Sequence, residues 1–303
     1  ISLYAGYNEH DEARYIVEQA EQWMIAGNTR SSVAILYRSN AQSRVLEEAL
    51  IRSAIPYRIY GGQRFYERLE IRNALAYLRL LLNRGDDAAV ERVINTPPRG
   101  IGSKSLDTVR ELARNRGSTL WSAISAVLEE RLLPARALSA LEGFVVLINE
   151  WDSGVDELPL EELVDHAIRA SGLFLYHKNE KGEKGQARVE NLEELVSAAK
   201  QFVAEEGELS PQQQFLDRAA LDAGDAQADE HEDSVQLMTL HSAKGLEFPL
   251  VFLAGMEENL FPHRMSMEEP GRLEEERRLC YVGITREKEK LVITYAECRR
   301  LHG

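Results

Sequence analysis

VAILYRSNAQSRVLEEALIRSAIPYRIY, residues 33–60, is the stretch whose reading decides the fold class. Val33 to Tyr37 form an apolar run of strand length. Residues 42–53 carry Val45, Leu46, Ala49 and Leu50 at helical spacing, which gives a helix with one apolar side. Ile55-Pro56-Tyr57-Arg58-Ile59-Tyr60 returns to strand character and is stopped by Gly61-Gly62. Strand, helix and strand with short connections predict a parallel α/β unit, because parallel neighbours need a crossover and a helix supplies one.

The same pattern extends toward the N-terminus, where residues 11–25 place Ile16, Ala20, Trp23 and Met24 at helical spacing behind cap chemistry at 8–11. From Glu70 onward the period changes. Residues 71–82, 87–94, 105–116, 120–130, 135–151, 160–171 and 189–203 read as helices with few strand signals. YHKNEKGEKGQ at 176–186 reads as a polar, mobile loop, and 222–233 as a second polar stretch. Strand character returns at 235–240 and 249–254, followed by a helix at 274–284 and a closing strand at 291–296. The expected organisation is one parallel-sheet α/β domain, residues 1–60 and 233–303, interrupted by a mostly α-helical insertion at 61–232.

With 44% hydrophobic and 28% charged residues, the chain has the composition of an ordinary globular protein. No apolar run approaches the ~18 residues that would span a membrane. The N-terminus, Ile1-Ser2-Leu3-Tyr4, has neither the basic nor the apolar region of a leader and no initiating Met, so the chain is expected to start inside a longer protein. Cys280 and Cys298 form neither a disulfide framework nor a metal-ligand spacing and fit a reducing, cytoplasmic compartment. The net charge of −14 is unevenly distributed. Residues 1–120 carry 17 basic against 14 acidic side chains, 121–234 carry 9 against 25, and 235–303 carry 10 against 11. A surface for phosphates is therefore expected at the two ends of the chain rather than in its acidic middle.

Two segments carry chemistry. In Thr239-Leu240-His241-Ser242-Ala243-Lys244-Gly245-Leu246-Glu247-Phe248 a strand ends in a polar turn, and loops at strand C-termini are where open α/β sheets hold ligands. By spacing alone, a polar turn between strands is structural more often than it is a ligand site. In Glu274-Glu275-Glu276-Arg277-Arg278-Leu279-Cys280-Tyr281-Val282-Gly283-Ile284-Thr285-Arg286, Glu275/Arg278 and Glu274/Arg278 would support a helix that ends just before Arg286. An arginine at an element terminus can meet a phosphate bidentately, or can simply be a solvated charge.

Together these segments resemble superfamily 1 DNA helicases of the UvrD/Rep/PcrA type. TLHSAKGLEFPLVFLAGMEENLFPH is similar to the family's motif V, EEERRLCYVGITRE to motif VI and VAILYRSNAQSRVLEEAL to motif IVa. YRIYGGQRFYERLEIRNALAYLRLL and TPPRGIGSKSL resemble the start of the family's 2B insertion and its Gly-Ile-Gly motif. The resemblance runs collinearly over nearly the whole chain. It implies a RecA-like, P-loop NTPase-type domain (2A), incomplete at its N-terminus and interrupted by the helical 2B arm.

By position, the resemblance makes Arg286 the motif VI arginine that reaches the ATP γ-phosphate, and brings Glu247 to the nucleotide. Arg38, Asn40, Thr239 and His241 would line the single-stranded DNA path, with Lys244 on the same surface and His302 where relatives stack an aromatic on a base. Gly100-Ile101-Gly102, Arg99 and Lys104 would touch duplex backbone. The chain departs from the family at Glu287, where Ala usually follows the arginine, and at His302 itself. The helical insertion would act as a rotatable arm on the duplex, with hinges at Tyr60-Gly61-Gly62 and near Asp233.

The sequence contains no G-x-x-x-x-G-K-[ST] loop, and it lacks the acidic Mg²⁺-binding motif expected of the first RecA-like domain and the family's motif IV segment, which the resemblance places before residue 1. The expectation is a C-terminal half that needs ATP and Mg²⁺ in the full-length protein, binds neither alone, and is inactive by itself. Expected partners are single-stranded DNA, single-strand/duplex junctions, the protein's own N-terminal RecA-like domain and DNA-repair proteins. A DNA- or repair-partner-binding module without motor activity is the alternative, and a helicase–nuclease arm ranks below it for want of a carboxylate cluster.

Overall fold

The computed structural model describes residues 1–151, 158–224, 232–268 and 271–299. In chain order the first elements are β1 (Ser2–Gly6), α1 (Glu9–Ile25), β2 (Val33–Tyr37), α2 (Ser43–Arg52) and β3 (Tyr57–Ile59). Helices follow: α3 (Leu69–Leu82), α4 (Asp87–Val93), α5 (Ser103–Arg116), α6 (Leu120–Glu129), α7 (Ala135–Glu150), α8 (Leu160–Ala170), α9 (Leu173–Lys178), α10 (Glu183–Gln201) and α11 (Pro211–Gly224). Then come β4 (Val235–Thr239), β5 (Phe248–Leu253), α12 (Arg264–Glu268), α13 (Arg272–Ile284) and β6 (Glu287–Ala296).

The six strands make one sheet in the order β1-β6-β5-β2-β4-β3, and every pairing is parallel. β2 lies between β5 and β4, and all five of its residues are buried. Its alternation explains the unbroken apolar run read in the sequence. Val33, Ile35 and Tyr37 pack with Ile16, Val17 and Ala20 of α1 and Val45, Leu46 and Leu50 of α2. Ala34 and Leu36 face the opposite core with Met238, Leu240, Val251, Leu253 and Leu279 of α13. A parallel strand covered on both faces has no polar side to show.

Helix α1 begins at Glu9, two residues before the expected start. The Asn8 side chain caps it by accepting the Asp11 N–H at 2.9 Å, and Glu9, Asp11 and Glu12 place negative charge at the positive end of the helix dipole. The alternation of β1 is visible only once β6 lies beside it, because four of its five residues are exposed or half-buried at the sheet edge.

The chain divides into two compact units, one of Ile1–Glu67 with the segment from Ala223 on, the other from Arg68 to Asp222. The first unit extends past residue 60 because Glu47, buried in α2, accepts the Phe65 N–H at 3.2 and 3.3 Å. The second unit is built on α3, where Ile71, Ala74, Leu75, Tyr77, Leu78 and Leu80 are buried against α4, α8 and α10. The mobile loop expected at 176–186 is not there. His177 closes α9 in a buried position, its Nδ1 lies 3.0 Å from Glu180 Oε2, and Arg188 Nη1 reaches Glu180 at 2.6 Å. The turn shrinks to 179–182, and Gly185 packs so closely that a Cβ there would lie 2.6 Å from the Glu180 carbonyl oxygen. A polar composition here marks an ion-paired corner rather than a loop.

Candidate functional site on two edges of the sheet

Because all strands run the same way, the predicted site residues sort by which strand end they occupy. Arg38 and Asn40 follow β2, and His241 follows Thr239, the last residue of β4, so these four sit at the C-terminal edge. Glu247 precedes β5 and Arg286 precedes β6, which puts both at the N-terminal edge. Five or six residues of strand separate the two edges, about 17–20 Å. The segment 239–248, expected to be one turn at the strand C-termini, crosses from one edge to the other.

At the C-terminal edge the backbone is tied down before any ligand arrives. Thr239 Oγ1 lies 3.1 Å from Ser242 Oγ and accepts the Ser242 N–H at 3.3 Å, and Leu240 N–H donates to the Tyr37 carbonyl at 2.9 Å. Gln42 Oε1 accepts the N–H groups of Arg38 and Ser39 at 2.9 and 2.8 Å. His241, Asn40 and Lys244 are exposed, and Lys244 makes no hydrogen bond or ion pair among the described residues. Arg38 is held differently: its Nε donates to both carboxylate oxygens of Glu276 at 3.0 Å and its Nη2 to one of them at 2.7 Å. Glu276 is 4% exposed and also accepts from Ser266 Oγ at 3.0 Å and the His263 N–H at 3.2 Å. Burial works to raise its pKa, but the Arg38 guanidinium and these hydrogen bonds outweigh burial and hold the carboxyl below its usual range.

At the N-terminal edge Arg286 joins two chain segments. Its Nε donates to the Val282 carbonyl, its Nη1 to the Leu246 carbonyl and its Nη2 to Thr285 Oγ1, each at 2.9 Å, while its own carbonyl accepts the Phe248 N–H at 2.9 Å. Every acceptor is neutral, and no carboxylate pairs with this guanidinium among the described residues. Glu247 is thereby brought beside it in the chain, exposed, with Lys288 Nζ at 3.6 Å. Glu287 opens β6 opposite Phe248 and forms no ion pair with Arg286.

The second unit carries the Gly-Ile-Gly segment. Gly100 adopts φ +83, a left-handed conformation that favours glycine, and a Cβ at Gly100 or Gly102 would meet nothing within 4 Å. Ile101 is buried, and Asn95 Oδ1 accepts its N–H at 3.3 Å. Gly102 caps α5 without a side chain, so the first amides of that helix keep no side-chain acceptor, and Lys104 stands exposed in its first turn. Arg99 does not share that surface. Its Nη1 donates to the carbonyls of Val93 (3.0 Å) and Pro97 (3.2 Å), and its Nη2 to Tyr77 Oη (2.6 Å) and the Ser171 carbonyl (2.9 Å). Its charge lies 5.8 and 5.7 Å from the ring centroids of Tyr77 and Phe144. Arg99, expected as a phosphate contact, is half-buried behind the glycines and holds these four oxygens. His302 lies outside the described residues.

Reading the sequence missed the buried charges. Read in one dimension, Glu276 has no role of its own in the Glu274–Arg278 run, yet it shares a buried helix face with Leu279 and Gly283. That shared face was the available signal. Glu275 pairs with Arg278 at 3.2 Å as expected, whereas Glu274 pairs with Arg277 at 2.9 Å rather than with Arg278. Glu12, also buried, accepts from Gly255 N–H (2.8 Å), Thr294 Oγ1 (2.7 Å) and Arg299, which also donates to Glu257 at 2.5 Å. These partners are up to 287 residues apart in sequence, and no local pattern announces them.

An all-parallel six-stranded sheet covered by helices on both faces is the architecture of a RecA-like α/β domain. The chain belongs to the UvrD-like helicase C-terminal domain family, whose model matches residues 1–298. DNA helicase II of Escherichia coli is 58% identical over 305 residues, taking in 100% of this chain and 42% of that protein. DNA helicase II of Salmonella typhimurium is 57% identical over the same span, and ATP-dependent DNA helicase PcrA of Bacillus subtilis 41% over 310 residues. The chain thus spans 42% of the length of these relatives. No helix among the described residues is long and apolar enough to cross a membrane.

Proposed function

We propose that this chain is the C-terminal half of an ATP-dependent 3′→5′ DNA helicase and translocase acting in DNA repair in the bacterial cytoplasm, on the nucleoid. The observation that carries the reading is the separation of Arg286 from Arg38, Asn40, Thr239 and His241 on opposite edges of one sheet. A motor needs this division, because nucleotide and strand must be held by the same rigid body without competing for the same groups.

In this reading Arg286 is the arginine finger. Its three donors rest on neutral oxygens. Transfer to a γ-phosphate exchanges neutral acceptors for charged ones, and bonds to ionised acceptors are roughly twice as strong. The donor set therefore fits one side of a triphosphate, with Glu247 approaching the nucleotide from the neighbouring turn. ATP and Mg²⁺ supply the transferable phosphoryl group and its charge neutralisation, and their remaining ligands belong to the N-terminal RecA-like domain. With no G-x-x-x-x-G-K-[ST] in its 303 residues, this chain alone neither hydrolyses ATP nor unwinds DNA.

The exposed Asn40, His241 and Lys244, with Thr239 and Arg38, line the single-stranded path without reading sequence. The compact unit of residues 68–222 is the 2B arm, inserted in sequence between the two parts of domain 2A. There Gly100 and Gly102 let duplex backbone approach closely, the free amides of α5 and Lys104 meet its phosphates, and Arg99 keeps the turn in shape. Tyr60-Gly61-Gly62 and the stretch near Asp233 serve as hinges. His302 completes the strand path by stacking on a base, and the physiological partners are strand junctions and DNA-repair proteins.

The test is ATPase activity with and without single-stranded DNA, on this chain and on the full-length gene product, each beside its Arg286→Ala variant. DNA-stimulated activity in the full-length protein alone, falling by about 10³-fold or more in the variant, is the expected result. A full-length rate that survives the substitution refutes the assignment.

A further inference from the structure

The two edges are joined by a single rigid element. Helix α13 starts at the C-terminal edge, runs back along the sheet and delivers Arg286 at the N-terminal edge. From Glu276 to Ile284, the last residue of the helix, is about 12 Å, and Arg286 follows two residues later. It is fixed at three levels. Near its start Glu276 holds Arg38, Ser266 and the His263 amide. Near its end Gly283 sits directly on the sheet, where a Cβ would lie 2.6 Å from Leu240 Cδ2 and 2.9 Å from Leu253 Cδ2. Leu240 is the residue between Thr239 and His241, so the helix rests on the strand-path turn itself. Just past its last turn Arg286 ties back to Val282 and across to Leu246.

The chemistry of the first contact is specific. A guanidinium has five N–H donors on a planar fork. Glu276 takes the Nε and Nη2 edge, and Nη1 makes no hydrogen bond among the described residues. The carboxylate therefore fixes the plane of Arg38 and leaves its other edge for a phosphate oxygen. A strand phosphate drawn to Nη1 pulls on a fork whose opposite edge is bolted to α13.

Resting on the function proposed above, we infer that Glu276 is a positioning residue. It orients Arg38 toward the strand and transmits strand occupancy along α13 to Arg286. Close packing makes this a rigid-body shift rather than a local one, since Gly283 leaves no slack between helix and sheet.

The experiment uses the full-length protein and measures DNA-free and DNA-saturated kcat, KM for ATP and the dissociation constant for a single-stranded oligonucleotide. The variants are Glu276→Gln, Arg38→Gln and the double substitution, with thermal unfolding recorded for each. Glu276→Gln is expected to lower the DNA-stimulated to DNA-free kcat ratio at least tenfold, with KM for ATP within about twofold of the parent. The double variant is expected to fall no further than Arg38→Gln alone, because the two residues act as one unit. It also removes both charges together, so no buried charge is left unpaired if Glu276→Gln folds poorly. A preserved ratio, proportional loss of both rates, or losses that multiply in the double variant would overturn the inference. A parent protein without DNA-stimulated hydrolysis would instead sink the helicase reading itself.

Discussion

Replacing Arg99 with alanine separates an internal clamp from a DNA contact. The guanidinium donates to three main-chain carbonyls and to Tyr77 Oη, whose pKa burial pushes up to about 12 against the opposing effect of Arg99, so the phenol stays protonated. Removing Arg99 leaves the Val93, Pro97 and Ser171 carbonyls short of a donor. Charge-assisted bonds contribute about 1.5–3 kcal/mol each when well shielded, but Arg99 is half-buried and water can replace part of the loss. Discounting to about 1 kcal/mol per carbonyl gives about 3 kcal/mol for the second unit. With a urea slope of about 2 kcal/mol/M, the midpoint should fall by about 1.5 M. Tryptophan emission can follow the transition in a Trp23→Phe background, because Trp151 lies 5.7 Å from the Tyr77 ring and Trp121 6.1 Å from Phe144. Arg99→Lys should lose most of the same stability, since a point charge cannot serve a fork of four oxygens. Should Arg99→Ala unfold at the parent midpoint and lower the salt dependence of duplex binding by about one unit of log K per log salt, the clamp argument is refuted.

Four further outcomes can be checked. Glu276 is held below the usual carboxylate range, so its contribution is complete above an unfolded pKa of about 4.3 and is lost as pH falls through and below that value. Calorimetry from pH 6 to pH 3.5 should therefore show the melting gap between parent and Glu276→Gln narrowing, and a constant gap would contradict it. Arg299→Ala leaves Glu12 and Glu257 without their shared cation and should cost about 3–5 kcal/mol, whereas a loss under about 1 kcal/mol would mean that water replaces the arginine. Lys104→Ala should leave stability within about 0.5 kcal/mol and reduce the salt slope of duplex binding by about 0.9. Gly100→Ala, strained at φ +83, should instead destabilise by about 1 kcal/mol; equal effects on stability from the two would argue against an open glycine turn.

The strand at 33–37 was legible to the residue, because a parallel strand buried on both faces has to be apolar throughout. Helix positions followed from their period, with ends displaced by one to three residues in most cases, since caps such as Asn8 act just outside the apolar stripe. The corner at 176–186 was misread because polar residues in a loop and polar residues in an ion-paired turn look alike in one dimension. Collinear motifs likewise gave the family.

Tertiary structure alone decided which charges are spoken for. Arg38, Arg99 and Arg286 are the same residue type, yet one is gripped by a carboxylate, one by carbonyls inside a helical unit and one by neutral oxygens at a strand end. Those differences depend on partners 238, 72 and 40 residues away, set by strand order and helix packing. Sequence by itself determined the elements and the chemistry available, because propensity and period act locally. The division of that chemistry between two edges of a sheet is a property of the parallel topology, and it exists only once the strands are aligned.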